Sequence, residues 1–128
     1  MIDKFAPKHL GKHSSEPVEK LDLIPWTGGE IAVELDCSEF TSRCPVTGQP
    51  DFGELKIEYM PRDCLAETKS VKLYLMKFRE ERGFNEQLVC TIADDWAAQL
   101  KPKWLRVQGT FNRRGGIAVT ATAERSTR

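Results

Sequence analysis

Four segments in which apolar and polar residues alternate surround two segments with helical spacing, and this order restricts the fold more than any other feature. The alternating segments are residues 31–36, 55–59, 104–109 and a last one that begins at Ile117. The helical segments are residues 68–79 and 85–100, the second with an apolar side chain at every fourth position from Leu88 to Leu100. Alternation is the period of a strand, whereas spacings of three and four are typical of a helix. The sequence therefore predicts the order β-β-α-α-β-β.

Two hairpins that flank a pair of helices suit an α+β fold. The expected arrangement is one antiparallel sheet with both helices on one face. A sheet of this size leaves its edge strands without partners, and pairing between copies of the chain would remove those edges. We therefore expect an oligomeric barrel.

The chain is expected to form one domain behind a polar lead-in. Residues 1–28 mix charged residues, Pro, Gly and Ser with few apolar ones, which is typical of an extended or mobile segment. Residues 29–128 then form the single domain. Because 128 residues are few for an enzyme that holds two substrates, we expect a pocket shared between subunits.

The composition argues against several classes of protein. Basic and acidic residues balance at 19 each, so no overall positive charge attracts nucleic acid or a membrane surface. The sequence contains no apolar run of membrane-spanning length and does not start like a signal peptide, so a cytoplasmic protein is expected. The cysteines at positions 37, 44, 64 and 90 lack C-x-x-C spacing, and both histidines, His9 and His13, precede the domain. We expect no metal site.

Cys44 is the candidate nucleophile. It lies in the run FTSRCPVTGQPDF at positions 40–52, which is polar and rich in turn-forming residues. A neighbouring cation, here Arg43, lowers the pKa of an exposed thiol and makes it reactive. The alternative is an inert, buried side chain, which is what we expect for the other three cysteines.

Asp51, seven residues after Cys44, is the candidate proton donor. If the loop folds over the thiol, the Asp51 carboxyl can give a proton to the group that the sulfur attacks. The alternative is a turn residue, because Asp directly after Gly-Gln-Pro is favoured for hydrogen bonds to its own backbone.

Two basic segments are candidates for phosphate binding. Lys69 and Lys72 lie three residues apart in the first predicted helix, with Thr68 placed as its N-cap, and RRGG at positions 113–116 predicts a basic turn. A helix start with two ammonium groups can hold an anion, although a solvated helix face remains the alternative. No G-x-G-x-x-G follows a strand, so a dinucleotide would bind without a Rossmann fingerprint.

The same residues carry a family resemblance. FTSRCPVTGQPDF, ETKSVKLY at 67–74, FNE at 84–86 and RGGI at 114–117 resemble the motifs of the NADPH-dependent 7-cyano-7-deazaguanine reductases. The resemblance implies the tunnelling fold (T-fold) and a nitrile reductase of queuosine biosynthesis. It also implies 7-cyano-7-deazaguanine as the small-molecule substrate, NADPH as a co-substrate used twice per turnover, and a homo-oligomer with sites at subunit interfaces.

The resemblance further implies roles for individual residues. Cys44 would add to the nitrile to form a thioimide, and Asp51 would supply the proton. The implied substrate contacts are Ala66, Glu67, Thr68, Asn85 and Glu86. The implied cofactor contacts are Thr68, Lys69, Arg114 and Gly115, and no metal is implied.

One position departs from the family pattern, and two other functions remain open. Where the family usually has His-Glu, this chain has Asn85-Glu86, so an amide replaces a ring that can be protonated. A related tunnelling-fold group adds ammonia to the same nitrile on transfer RNA and forms an amidine. The other alternative is a non-catalytic oligomeric domain that binds a purine through Glu86.

Overall fold

The computed structural model of the protein describes Lys8 and residues 16–127. The predictions for the other residues of the N-terminal segment, including His9 and His13, lie outside the described residues. Within the described part, the elements are β1 (Leu23–Pro25), β2 (Val33–Arg43), β3 (Pro50–Met60), β4 (Cys64–Ala66), α1 (Thr68–Met76), a 3₁₀ helix (Lys77–Glu80), α2 (Asn85–Leu100), β5 (Trp104–Arg114) and β6 (Ile117–Ser126).

The four long strands form one antiparallel sheet in the order β2-β3-β5-β6. Its apolar face is covered by the helices. Tyr59 of β3 meets Trp96 of α2 edge to face, with 5.9 Å between ring centroids, and Phe40 of β2 lies 5.8 Å from Phe78, just after α1. The predicted α+β arrangement of an antiparallel sheet and two helices is confirmed.

The opposite face of the sheet is polar. Ion pairs cross it between Lys56 and Glu34, at 3.6 Å, and between Arg106 and Glu124, at 3.8 Å. β2 and β6 lie at the two edges of this sheet. Each edge has the open backbone that a strand from another subunit could pair with, and the barrel itself stays a prediction.

The hairpin that carries Cys44 contains less loop than predicted. The sequence interpretation treated residues 40–52 as a loop, but β2 and β3 extend into it and leave only residues 44–49 as the turn. Ser42 pairs directly with Asp51 across the two strands. Backbone pairing between the strands lengthened them, and the local residue pattern carries no sign of it.

Part of the N-terminal segment packs on the domain. β1 pairs with β4 in a separate two-stranded sheet, and Leu21 and Asp22 are buried. The Asp22 backbone N–H donates a hydrogen bond to Ser70 Oγ of α1 at 2.9 Å. Within the segment predicted to be extended or mobile, residues 21–25 are therefore packed on the domain, and β1 is extended.

The two helices match their predicted positions with two corrections. α2 has the predicted bounds, and the last turn of the first predicted helix becomes the 3₁₀ helix. The N-cap of α1 is Glu67 and not Thr68, as the sequence interpretation had it. The Glu67 carboxylate accepts hydrogen bonds from the N–H groups of Lys69, at 2.8 Å, and Ser70, at 2.7 Å. In the part of the chain described, no helix has the length and apolarity needed to cross a membrane.

Candidate active site

Cys44 lies in a tight turn at the tip of the β2–β3 hairpin. Its backbone N–H donates to the Gln49 carbonyl, and its carbonyl accepts from the Gly48 N–H, both at 2.9 Å. Gly48 has φ +74°, a backbone conformation that glycine adopts without strain. The turn holds the Cys44 side chain partly exposed.

Hydrogen bonds in this turn make the Cys44 thiol more acidic. Its pKa lies below the ordinary value because the Thr47 hydroxyl and the backbone N–H groups of Thr47 and Val46 stabilise the thiolate. Slight burial and the negative charge of Asp51 act in the opposite direction. The thiolate is the nucleophilic form, so the turn favours attack by sulfur.

Arg43 stabilises the turn. It does not cause the lowered pKa of Cys44, contrary to the sequence prediction. Its guanidinium contacts the Glu80 carboxylate at 3.1 Å and the Gly48 carbonyl at 3.0 Å. Its backbone N–H donates to the Glu81 carbonyl at 2.9 Å, and its carbonyl accepts from the Gly83 N–H at 3.1 Å. The segment that leads into α2 is thereby tied to the Cys44 turn.

The other thiols are in different surroundings. Cys64 is buried, as predicted, and donates to the Leu100 carbonyl at 3.5 Å. Cys37 and Cys90 are half-buried. Burial and the nearby Asp36 carboxylate raise the pKa of Cys37 to about 11, so this thiol is protonated at neutral pH.

Asp51 is a buried strand residue and not the turn residue that was the alternative interpretation. It lies in β3, and its carboxylate forms an ion pair with Arg114 from the end of β5. The Arg114 guanidinium also donates to the Pro50 carbonyl at 3.0 Å. The Asp51 charge acts on the Cys44 thiol, so thiol, carboxylate and guanidinium lie at the same end of the sheet. Arg114, predicted to bind cofactor, is paired with Asp51 in this subunit.

Asn85 and Glu86 lie at this end of the sheet too. They open α2 immediately after the segment bound to Arg43. Glu86 is exposed, and the Asn85 side-chain oxygen is buried without a hydrogen-bond partner among the described residues. We call the set of residues at this end of the sheet the Cys44 cluster: Cys44, Asp51, Asn85, Glu86, Arg114 and Gly115.

The remaining predicted site residues lie at the other end of the sheet. Ala66, Glu67, Thr68 and Lys69, which we call the helix-start group, span the end of β4 and the start of α1. The Ala66 N–H donates to the Tyr59 hydroxyl at 3.0 Å. Asp51 and Tyr59 are eight residues apart on β3, which at about 3.3 Å per residue separates them by about 26 Å. One subunit therefore does not bring the two groups together.

A groove of about 420 Å³ runs between α1 and the edge strand β2. Its helix side carries Thr68, Lys72 and Arg79, and its strand side carries Glu34, Asp36 and Glu39. The cations on the helix side attract a phosphate, whereas the carboxylates on the strand side repel one. Arg79, in the 3₁₀ helix, was not among the predicted site residues, although a spacing of seven residues from Lys72 places both on one face of the predicted helix.

Four large apolar side chains around the Cys44 cluster are exposed, and the sequence did not single them out either. They are Val46 at 79%, Phe52 at 55%, Phe84 at 65% and Ile117 at 68% exposure. The last pairs with Arg114, and the others adjoin the Cys44 turn, Asp51 and Asn85 in sequence. Apolar surface gathered around candidate catalytic residues is typical of a ligand-binding site or a subunit contact.

Sequence comparisons identify the family. The family described as QueF-like protein matches residues 50–128. The NADPH-dependent 7-cyano-7-deazaguanine reductase of Frankia casuarinae is 45% identical over 119 residues, covering 93% of this chain and 95% of the relative. The chain belongs to this reductase family.

Other relatives of the same name agree with the family assignment. The NADPH-dependent 7-cyano-7-deazaguanine reductase of Rhodopseudomonas palustris (strain HaA2) is 50% identical, covering 91% of this chain and 77% of the relative. That of Anaeromyxobacter dehalogenans (strain 2CP-C) is 43% identical, covering 81% and 85%. The resemblance found in the motifs is confirmed.

A solved structure shares the fold of this reductase-family chain. The apo form of an archaeosine synthase QueF-Like matches with a TM-score of 0.66, covering 77% of this chain and 95% of the other. The two sequences are 20% identical, so the match concerns the fold alone.

Proposed function

We propose that this chain reduces the nitrile of 7-cyano-7-deazaguanine to the aminomethyl group with NADPH, in queuosine biosynthesis. The observation that carries the proposal is an acidic thiol, Cys44, with a buried carboxyl, Asp51, beside it in a chain of this reductase family. A nitrile is a poor hydride acceptor, and a nucleophilic sulfur converts it into a better one.

Cys44 and Asp51 perform the first chemical step. The Cys44 thiolate forms a bond to the nitrile carbon, one π bond of C≡N breaks, and the nitrogen takes the proton of Asp51. The product is a thioimide, covalently held on the enzyme. When bound, NADPH would supply a hydride to this carbon, release of the Cys44 thiolate would leave an imine, and a hydride from a second NADPH together with a proton would give the amine. In sum, one nitrile, two NADPH and two protons give one primary amine and two NADP⁺.

Arg114 must leave Asp51 before that carboxyl can donate a proton. The guanidinium contacts the Asp51 carboxyl and occupies the position that the nitrile nitrogen would need to take. Arg114 is half-exposed and is followed by Gly115 and Gly116, both with positive φ. Its move away from Asp51 when the nitrile binds would release the carboxyl, and the guanidinium would then be available for the cofactor phosphate contact that the family resemblance implies.

The substrate is held by residues of two subunits. Glu86, exposed beside the Cys44 turn, accepts hydrogen bonds from the ring N–H and the exocyclic amine of the purine. The helix-start group of a neighbouring subunit supplies Glu67 and Thr68, since in the same subunit this group lies beside Tyr59, which is about 26 Å along β3 from Asp51. The exposed apolar residues around Cys44 and the open edges of β2 and β6 suit a tunnelling-fold barrel with sites at its subunit contacts.

The test follows the nitrile on the enzyme. The protein is mixed with 7-cyano-7-deazaguanine, its intact mass is measured, and NADPH is then added while the nicotinamide absorbance is recorded. We expect a mass increase equal to one nitrile, lost in Cys44→Ala and kept in the control Cys90→Ala. NADPH should then discharge the adduct, with two NADPH oxidised per amine formed.

The other outcomes identify other functions. An adduct that ammonia discharges and NADPH does not would support the amidine-forming alternative. Binding of the purine without any adduct would support the non-catalytic domain. An adduct that persists in Cys44→Ala would contradict the choice of nucleophile.

A further inference from the structure

Ser42 carries a buried hydroxyl that the structure leaves without a partner. The residue is 0% exposed, and its Oγ makes no hydrogen bond to any described residue. Ser70, also 0% exposed, shows the usual situation: it donates to the Glu67 carbonyl at 2.7 Å and accepts from the Asp22 N–H at 2.9 Å. A buried hydroxyl without a partner destabilises a folded protein, so its presence calls for a reason.

Asp51 is the direct cross-strand neighbour of Ser42. Side chains that face each other across an antiparallel pair point to the same side of the sheet, with Cβ atoms about 5 Å apart. Both residues are buried, and Ser42 is two residues from Cys44. A serine hydroxyl moves by rotation about one bond, so it can reach this neighbour without backbone motion.

We propose that Ser42 is a positioning residue for the proton donor Asp51. Its hydroxyl donates a hydrogen bond to one oxygen of the Asp51 carboxyl once Arg114 has released that group, and the other oxygen then presents its proton to the nitrile nitrogen. The inference rests on the proposed function. Catalytic hydrogen bonds of this kind are often completed only when substrate is in place.

If Ser42 positions Asp51, loss of its hydroxyl should slow one reaction of Cys44 and leave the rate of another unchanged. Addition to a nitrile needs the proton of Asp51, whereas alkylation by iodoacetamide needs only the thiolate. The hydrogen bonds that make the thiol acidic come from Thr47 and Val46, so they survive the loss of the Ser42 hydroxyl. Ser42 therefore affects the first reaction and not the second.

The experiment compares Ser42→Ala, Ser42→Thr and the unsubstituted protein. We expect Ser42→Ala to form the nitrile adduct about 10-fold more slowly, the effect of one hydrogen bond to a carboxyl group, and to react with iodoacetamide at an unchanged rate. Ser42→Thr keeps the hydroxyl and should recover most of the lost rate. In an Asp51→Asn background, Ser42→Ala should cause no further decrease, because the group it positions is gone.

Thermal unfolding separates this role from a structural one. We expect Ser42→Ala to unfold at the same temperature or higher, since it removes an unpaired polar group, and Ser70→Ala to lose about 5 °C, since it removes a paired one. A wild-type rate of adduct formation in Ser42→Ala would overturn the proposal. So would a parallel loss of thermal stability and of iodoacetamide reactivity, which would mark a structural role. If the unsubstituted protein forms no adduct, the proposed function fails and the role of Ser42 fails with it.

Discussion

At the scale of single residues, the environment of Cys44 distinguishes it from the other thiols. Local hydrogen bonds within its turn lower the pKa of Cys44, whereas burial raises that of Cys37. The two thiols are only seven residues apart in sequence. Reactivity is therefore a property of the turn that surrounds the sulfur.

Thr47 provides a test of that conclusion. In Thr47→Val a methyl group replaces the hydroxyl that stabilises the thiolate, so the pKa of Cys44 should rise. Because a lowered pKa makes the thiolate available at lower pH, we expect the pH dependence of iodoacetamide alkylation to shift to higher pH in the variant. Mass spectrometry of the modified peptide measures the rate at each pH.

A threonine elsewhere in the same hairpin is the matched control. The Thr41 hydroxyl in β2 bonds to the Glu39 carbonyl, at 3.2 Å, and not to the thiol. Thr41→Val should leave the alkylation profile in place. An unchanged profile in Thr47→Val as well would show that the hydroxyl has no part in the acidity of Cys44.

At the scale of elements, the start of α1 combines a structural and a candidate binding role in one residue. Glu67 is buried, and each of its carboxylate oxygens accepts a backbone N–H. A carboxylate oxygen can accept a second hydrogen bond, so Glu67 keeps capacity for a ligand while it caps the helix. The helix start is thereby held in shape before any ligand arrives.

The cap can be measured through stability. Glu67→Ala removes both cap bonds, and we expect it to lower the free energy of unfolding by about 1–2 kcal/mol. Thr68→Ala, at the position that sequence alone selects as the cap, should change it by less than about 0.5 kcal/mol. Urea unfolding of the two variants decides between the positions, and a larger loss for Thr68→Ala would contradict the cap seen in the structure.

At the scale of the whole molecule, the candidate site is divided between the two ends of one sheet. The Cys44 cluster contains Asp51 and the helix-start group adjoins Tyr59, and these two residues are about 26 Å apart along β3 in one subunit. Neither group contains both the nucleophile and the full set of predicted contacts to substrate. An active site made of both groups needs two subunits.

Mixed oligomers test this division. Cys44→Ala and Glu67→Gln each disable one group, so each variant alone should be inactive. When the two variants are co-expressed, random assembly would pair an intact Cys44 cluster with an intact helix-start group at about a quarter of the sites. We expect reductase activity to reappear near that level.

The matched control disables the same group twice. Cys44→Ala and Asp51→Asn both lie in the Cys44 cluster, so co-assembly of these two variants should restore no reductase activity. Recovery in the control, or no recovery in the Cys44/Glu67 pair, would contradict a site shared between subunits.

The sequence by itself determined the order of the main elements and the family. Alternation in the strands and the fourfold spacing of α2 arise from which side chains are buried along each element, so they are visible locally. The family motifs were also visible locally, because each is a short run of consecutive residues such as the one around Cys44. The sequence thus identified the candidate nucleophile and proton donor without coordinates.

Only the tertiary structure decided which residues meet. The pairing of Ser42 with Asp51, the capping of α1 by Glu67 and the packing of β1 on β4 all depend on backbone partners, and pairing of this kind leaves no periodic pattern. Arg114 pairs with Asp51 although 63 positions separate them. The division of the site into two distant groups follows from the length of β3 and the direction of α1. Local composition does not encode distance through space, so only the folded chain shows that the predicted site residues lie in two groups at opposite ends of the sheet.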